Sequence, residues 1–358
     1  MSAPARTLAF DVLLRVESGA WASDLLLAHS TGLDSRDAGL ASEIVFGVLR
    51  YRAQLDYLID HYSAGRRKLD PEVRTALRMA LYQLRYLERV PPHAAVADAV
   101  DLVKRARKRS AAGFVNAVLR KVNRDPVPWP NREIELSCPE WVLARWERHY
   151  GAEAAAAIAG AALREPEKHA RGTRRQDIGS QSIVPLLDLA PGQSFLDLCA
   201  APGNKTAQAL ETGVGAIACD LHYHRLCQMK SLTPNLVLLD ATRPLPFAKP
   251  FDRILLDAPC SGTGTLARNP EIKWRLTAAD LDDLTRRQAA LLARAHEALA
   301  PGGLLVYSTC SIEPEENEAI VSSLPPHVLA STTLRLPGRD AGDGFYAAVI
   351  ESDKPVNG

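Results

Sequence analysis

The hydrophobic rhythm of this 358-residue chain changes once, and each side of the change can bury its apolar residues in only one kind of architecture. From residue 3 to about residue 121, apolar residues recur at three- and four-residue spacing, as in 7–16, 37–51, 71–86 and 95–107. That pattern predicts amphipathic helices, packed into a bundle of about five to seven. Asp70-Pro71-Glu72 reads as a helix start, with a capping Asp and a proline at the first helical position. The prolines of Pro126-Val127-Pro128-Trp129-Pro130 cannot continue a helix, and they mark a linker. A short helical stretch follows at 139–162, where Trp141, Leu143, Trp146 and Tyr150 suit a core face, and 164–175 reads as loop. From residue 193 onward, short runs rich in β-formers alternate with helical stretches: 194–198, 215–219, 236–239, 253–256, 304–308 and 345–350. Such alternation predicts a doubly wound, largely parallel α/β sheet.

Charge divides along the same line. Residues 1–125 hold 20 Lys+Arg against 14 Asp+Glu, a net +6, whereas the remainder holds 23 against 28, a net −5. The whole-chain sum of +1 therefore conceals a basic helical third and leaves a polyanionic partner open. Its cations concentrate at Arg66-Arg67-Lys68 and at Lys104-Arg105-Ala106-Arg107-Lys108-Arg109. The second cluster exceeds what a helix end needs for its dipole, and we read it as phosphate-binding. The six cysteines form no CxxC pair, so no metal site is expected. The N-terminus has no secretory apolar segment, and no apolar run is long enough to span a membrane. A cytoplasmic protein with reduced thiols is expected, with a monomer as the default.

In open α/β sheets, ligands bind where the strands end. Here the first strand runs into Leu198-Cys199-Ala200-Ala201-Pro202-Gly203-Asn204-Lys205-Thr206, a tight turn in which Gly203 lets a ligand approach the backbone. The next two strands end in Asp220 and Asp240, and the fourth ends in Asp257. Asp220 lies where an acid would meet a ribose diol, and Asp240 where one would meet an adenine edge or a second polar group. Each acid is also a common turn former. A row of acids repels phosphate and suits a cationic cofactor body, which S-adenosylmethionine has. Gly203-Asn204-Lys205-Thr206 only echoes a phosphate loop, and no GxGxxG is present.

Cys260 and Cys310 each follow a strand end, so both should open into one crevice. A buried Cys is usually an inert small hydrophobe, and Cys199, Cys219 and Cys227 read that way. Two thiols beside a cofactor site instead suggest covalent catalysis. Methyl transfer to carbon 5 of a pyrimidine needs a thiolate at carbon 6, followed by loss of the carbon-5 proton and elimination of the thiol. The base must also be unstacked.

With these residues in view, the chain resembles the Sun/Fmu-type (RsmB-like) bacterial ribosomal RNA cytosine-5 methyltransferases. The resemblance lies in Leu196–Thr206 as the first cofactor motif, in Asp257-Ala258-Pro259-Cys260-Ser261-Gly262, and in Ser308-Thr309-Cys310-Ser311 followed by Glu313-Pro314-Glu315-Glu316-Asn317. Gln176-Asp177-Ile178-Gly179-Ser180-Gln181 and Gly342-Asp343-Gly344-Phe345-Tyr346 match two further family motifs, and the first 125 residues resemble a NusB-like RNA-binding domain. The resemblance implies a NusB-like bundle at 1–128 and a Rossmann-like catalytic domain at 135–355. It implies Cys310 as nucleophile and Cys260 as an aid to product release. Cys199, Ala200, Ala201, Pro202, Gly203, Asn204 and Lys205 would line S-adenosylmethionine, with Asp220 on the ribose, Asp240 near the adenine and Asp257 near the methionine end or the base. Lys205 would also orient the cytosine, and the RNA would be small-subunit ribosomal RNA. Transfer RNA or another RNA as substrate, and a non-catalytic RNA-binding or antitermination factor, stand as alternatives. Two departures are visible: Asn204 replaces the family's usual Gly, and about 50 residues of an RNA-contacting subdomain are missing before Gln176.

Overall fold

A computed structural model describes residues 4–65 and 68–352; Arg66 and Arg67 of the first basic cluster lie outside the described residues. Two compact units emerge: Met1–Glu165 together with Leu266–Trp274, and Pro166–Thr265 together with Arg275–Gly358.

Among the described residues, seven helices precede the proline-rich linker: α1 (Pro4–Glu17), α2 (Ala22–His29), α3 (Ser35–Arg50), α4 (Arg52–Tyr62), α5 (Pro71–Tyr86), α6 (Pro92–Arg105) and α7 (Ala112–Leu119). α5 is the axis of the bundle and touches α1, α3, α4, α6 and α7. It buries Val73, Ala76, Leu77, Met79, Ala80, Leu81 and Tyr82, an apolar stripe wide enough to serve several neighbours. Arg78 on α5 is buried yet satisfied, gripping Asp56 with two bonds of 2.7 Å and Glu17 at 2.7 Å. The linker is packed rather than free. Val127 and Trp129 lie on the bundle core, with Trp129 edge-on to Tyr57 at 5.8 Å. Beyond it, the helices Glu140–Tyr150 and Ala152–Ala161 belong to this unit; Trp146 and Leu143 are buried there, whereas Trp141 is 38% exposed and is not core.

Two local expectations change. α5 does begin at Pro71, but the Asp70 carboxylate makes no cap; it reaches Lys108 at 2.9 Å. In the second basic cluster, Arg105 pairs with Asp11 at 2.8 Å and Lys104 with Asp101 at 3.6 Å. Three of its five cations thus already answer to carboxylates, and among the described residues only Arg107 and Arg109 make no ion pair. The nine residues Leu266–Trp274, far along the sequence, also belong to the helical unit. Glu271 accepts the Ala22 N–H at 2.9 Å, Arg50 donates to the Ala267 carbonyl at 3.0 Å, and the Trp274 indole donates to the Leu49 carbonyl at 2.8 Å. Lys273, almost fully buried, donates to the Arg50 carbonyl at 2.9 Å, and burial pushes its ammonium down to about 8.

The second unit holds a mixed sheet of β1 (Ser194–Asp197), β2 (Gly215–Asp220), β3 (Leu236–Leu238), β4 (Phe251–Asp257), β5 (Leu299–Thr309), β6 (Leu329–Arg335) and β7 (Phe345–Glu351). Their spatial order is 3-2-1-4-5-7-6, with β7 antiparallel to both its neighbours and the first five strands parallel. All six expected strands are present. The seventh, β6, is an edge strand whose outer residues are exposed and polar, so no apolar run announces it. The order reverses between β1 and β4, which places the mouth of the crevice at the carboxyl ends of β1, β2, β4 and β5. Both faces of β4 and β5 are buried, with Ile254, Leu256, Leu305 and Tyr307 on one side and Leu255 and Val306 on the other. The helix Ala278–Glu297 covers the first face, started by a capping box in which Thr277 and Asp280 satisfy each other's backbone N–H.

α3 and α5 approach closely at Gly47. A Cβ built on Gly47 would fall 1.9 Å from the Tyr82 ring, which is itself held by the Glu43 carboxylate and stacked on Tyr86. Gly47→Ala is therefore expected to destabilise the helical unit by about 1–3 kcal/mol through overpacking. A thermal-unfolding scan of the purified chain should show the drop, and an unchanged midpoint would mean that the ring moves freely.

Candidate active site

The turn after β1 is shaped by its backbone. Leu198 donates to the Leu255 carbonyl at 3.0 Å and Ala200 to the Cys219 carbonyl at 2.8 Å, so the turn continues both neighbouring ladders. The Ala201–Pro202 bond is cis. Gly203 has a φ of +98°, and a Cβ there would lie 2.6 Å from the Leu232 side chain. What crowds this glycine is therefore the protein's own Leu232 and Met229. It starts the helix Asn204–Leu210, whose first turn aims Lys205 back across the sheet.

Lys205 donates to Asp257 at 2.6 Å and stands 5.2 Å over the Phe345 ring. The second oxygen of Asp257 accepts the Ser308 hydroxyl at 2.8 Å, because β4 and β5 place these two residues side by side. Asp197 is completely enclosed. Thr206 donates to one of its oxygens at 2.6 Å, and the other has no partner. Burial, with Asp257 adding repulsion, pushes the Asp197 carboxyl up to about 7. Asp220 accepts the Ala201 and His222 N–H groups at 3.2 and 2.8 Å, which ties the first turn to the second strand end. Asp240 stands apart and accepts the Thr242 N–H and hydroxyl at 3.0 and 2.6 Å; those bonds hold its carboxyl below the usual range.

Cys260 and Cys310 meet at an Sγ–Sγ distance of 3.4 Å. Hydrogen bonding to Cys310 and burial push the Cys260 thiol well up, with the Glu316 charge adding to the effect, so Cys260 is held as a thiol. Cys199 and Cys219 are also pushed up by burial, Cys219 to about 12, as packing residues should be.

One residue beneath the cysteines was not singled out from the sequence. Glu316 is fully buried. It accepts the Ser261 N–H at 2.8 Å, the Ser261 hydroxyl, the Ser311 hydroxyl at 2.5 Å and the Gln288 amide at 3.0 Å. Gln288 also donates to the Pro259 carbonyl at 2.9 Å. One carboxylate thereby fixes the residue that follows each cysteine. The Glu313–Asn317 run signals an acid there, but its spacing does not say which glutamate reaches the two serines; Glu313 is buried as well. Gly264 closes the arrangement: it donates to the Cys310 carbonyl at 3.0 Å, and a Cβ on it would lie 2.3 Å from the Gly344 oxygen.

Residues 184–351 match the family described as 16S rRNA methyltransferase RsmB/F, and residues 3–124 match the NusB family. The chain is 31% identical to the probable ribosomal RNA small subunit methyltransferase B of Bacillus subtilis (strain 168), covering 88% of this chain and 87% of the relative. It is 31% identical to ribosomal RNA small subunit methyltransferase B of Yersinia pestis bv. Antiqua (strain Angola), covering 96% and 98%. The chain belongs to this S-adenosylmethionine-dependent methyltransferase family. The Yersinia alignment runs over 422 positions against 358 residues here, so that relative carries segments this chain lacks. The crystal structure of PH0851 shares the fold, with a TM-score of 0.76 at 20% identity over 98% of this chain and all of that one.

The residues at the strand ends fit the family's cofactor. The carboxylates of Asp220 and Asp257 suit a cationic group, and the second oxygen of Asp197 is a buried acceptor without a partner. Glu316→Gln keeps the volume but loses the charge and its acceptor capacity. We expect methyl transfer to fall ~10- to 100-fold as the cysteines lose register, with affinity for S-adenosylhomocysteine retained. Iodoacetamide should also label Cys260 at a lower pH than in the wild type. Steady-state kinetics, calorimetry and peptide mapping check these outcomes.

Proposed function

We propose that the chain is an S-adenosylmethionine-dependent RNA cytosine-C5 methyltransferase that acts on small-subunit (16S) ribosomal RNA through a covalent bond between Cys310 and carbon 6 of the target cytosine. The observation that carries this reading is the pair of sulfurs 3.4 Å apart beside Asp257 and Lys205. Residues 1–128 would serve as the RNA-binding helical domain and residues 135–355 as the catalytic one.

Cys199 to Lys205, Asp220, Asp240 and Asp257 would hold S-adenosylmethionine, which supplies an electrophilic methyl group when bound. The Cys310 thiolate adds to carbon 6 and drives its electron pair to carbon 5, which becomes nucleophilic. Lys205 and Asp257, already paired at 2.6 Å, orient the polar edge of the flipped base. After methylation, the carbon-5 proton passes to solvent, its electron pair re-forms the carbon 5–carbon 6 double bond, and Cys310 leaves as a thiolate. Cys260, held as a thiol in contact with the Cys310 sulfur, donates a hydrogen bond to that sulfur as it regains its charge. It assists departure and does not attack.

Cys310→Ala should abolish methyl transfer to a small-subunit ribosomal RNA transcript and leave cofactor binding intact. Cys260→Ala should accumulate a denaturation-resistant protein–RNA adduct, absent when Cys310 is also replaced. Gel electrophoresis under denaturing conditions and bisulfite mapping of the transcript give the result. Normal turnover in Cys310→Ala would sink the mechanism.

A further inference from the structure

Asp257 and Ser308 face each other in the ladder between β4 and β5, and Ala258 continues it by donating to the Ser308 carbonyl at 2.8 Å. Cys260 and Cys310 therefore leave neighbouring strands almost level, and their sulfurs, 3.4 Å apart, are in van der Waals contact. The turns that carry them are held together, because Ser261 and Ser311 both donate to Glu316. Both thiols are partly exposed, whereas Cys138 and Cys219 are buried. A small solute can thus reach a pair of sulfurs that are already touching.

Hydrogen bonding to Cys310 and burial hold Cys260 as a thiol. Cys310, the nucleophile of the methylation chemistry, is then the sulfur that meets an electrophilic oxidant first. A thiolate oxidised alone climbs from sulfenic to sulfinic acid, and that second step is irreversible. A neighbouring thiol stops the climb by condensing with the sulfenic acid, and a neighbour in contact does so with the advantage of an intramolecular reaction. In a reducing compartment such a disulfide is transient, as redox-sensing disulfides are.

We propose that Cys260 and Cys310 form a reversible oxidation switch, in which Cys260 resolves the sulfenic acid that a hydroperoxide makes on Cys310. The Cys310 thiolate attacks the peroxide, the O–O bond breaks, and the distal oxygen leaves as hydroxide or alkoxide and takes up a proton from solvent. The Cys260 sulfur then attacks the Cys310 sulfur, the S–O bond breaks, and the oxygen departs with the Cys260 proton as water. Two thiols and one hydroperoxide give one disulfide, one water and one alcohol or second water; the sulfurs lose two electrons and the peroxide gains them. The disulfide occupies the Cys310 sulfur and stops its addition to carbon 6. That consequence rests on the functional reading above, whereas the thiol chemistry stands without it.

Reduced full-length protein is treated with a modest excess of hydrogen peroxide, blocked with iodoacetamide before unfolding, and mapped by mass spectrometry. The expected product is a peptide linking 260 to 310, lighter by two hydrogens and opened by dithiothreitol, with methyl transfer lost and regained in step. In Cys260→Ala and Cys260→Ser, the same treatment should carry Cys310 to the sulfinic acid, which dithiothreitol does not reverse. Wild-type protein that forms no such link, or that yields sulfinic Cys310 as readily as the variants, overturns the switch. A reversible link in a wild type that methylates no RNA supports the switch and overturns the functional reading.

Discussion

Glu316 is a carboxylate with no route to water, and an unpaired charge so placed would cost several kcal/mol. It is tolerable only because four donors converge on it, two from Ser261, one from Ser311 and one from Gln288. Those donors belong to three separate elements: the turn after β4, the turn after β5 and the middle of the helix Ala278–Glu297. Satisfying the charge therefore fixes all three at once. The 3.4 Å between the sulfurs follows from that geometry, since each cysteine directly precedes a serine whose hydroxyl is committed to Glu316. Asn317 extends the lock, taking the Thr309 hydroxyl at 2.6 Å and giving its amide to the Ser311 carbonyl at 3.0 Å. A buried network of this kind gives a single arrangement, because any slippage leaves a charge unpaired.

The same logic separates the two thiols. Cys260 and Cys310 are chemically alike and in contact, yet the pair cannot carry two negative charges in so enclosed a place. Keeping Cys260 protonated reserves it as a donor, which is the property required at the moment a thiolate must leave a carbon. Glu316 contributes twice, as a tether and as a negative charge that opposes ionisation of Cys260. Hydrogen bonding to Cys310 and burial come first in holding Cys260 protonated, and the Glu316 charge adds to them, so the two thiols are suited to the different parts the proposed mechanism gives them.

Much of this was legible in the sequence, for a topological reason. Parallel strands all end on one side, so Asp220, Asp257, Cys260 and Cys310 had to converge once the alternating rhythm was recognised, whereas Asp240 stands apart. What stayed hidden depends on contacts that no local pattern encodes. β6 hides because its first five residues are all exposed, so neither an apolar run nor an alternation marks it. The excursion of Leu266–Trp274 into the helical unit hides because nine mixed residues carry no periodicity. Gln288 sits in the middle of a long amphipathic helix, and only the Glu316 charge makes it more than one further buried position. Asp70 was misread as a cap because capping and ion pairing need the same residue type, and Lys108 lies 38 residues away in sequence.

The charge split also changes meaning once partners are known. Asp197, Asp220 and Asp257 at the strand ends, with Asp240 apart, suggest a strongly negative field, but each is locally compensated. Asp257 is neutralised by Lys205, Asp220 takes two backbone N–H groups, and Asp240 takes two donors from Thr242. Asp197 moves up to about 7, so near neutrality it carries a proton for much of the time. The crevice therefore offers lone pairs to a cationic ligand without projecting four full charges toward an approaching polyanion. The basic bundle is tempered in the same way, with Lys104, Arg105 and Lys108 turned onto Asp101, Asp11 and Asp70. Net charge by segment overstates both fields. The cations able to meet a phosphate are those the fold leaves without a carboxylate.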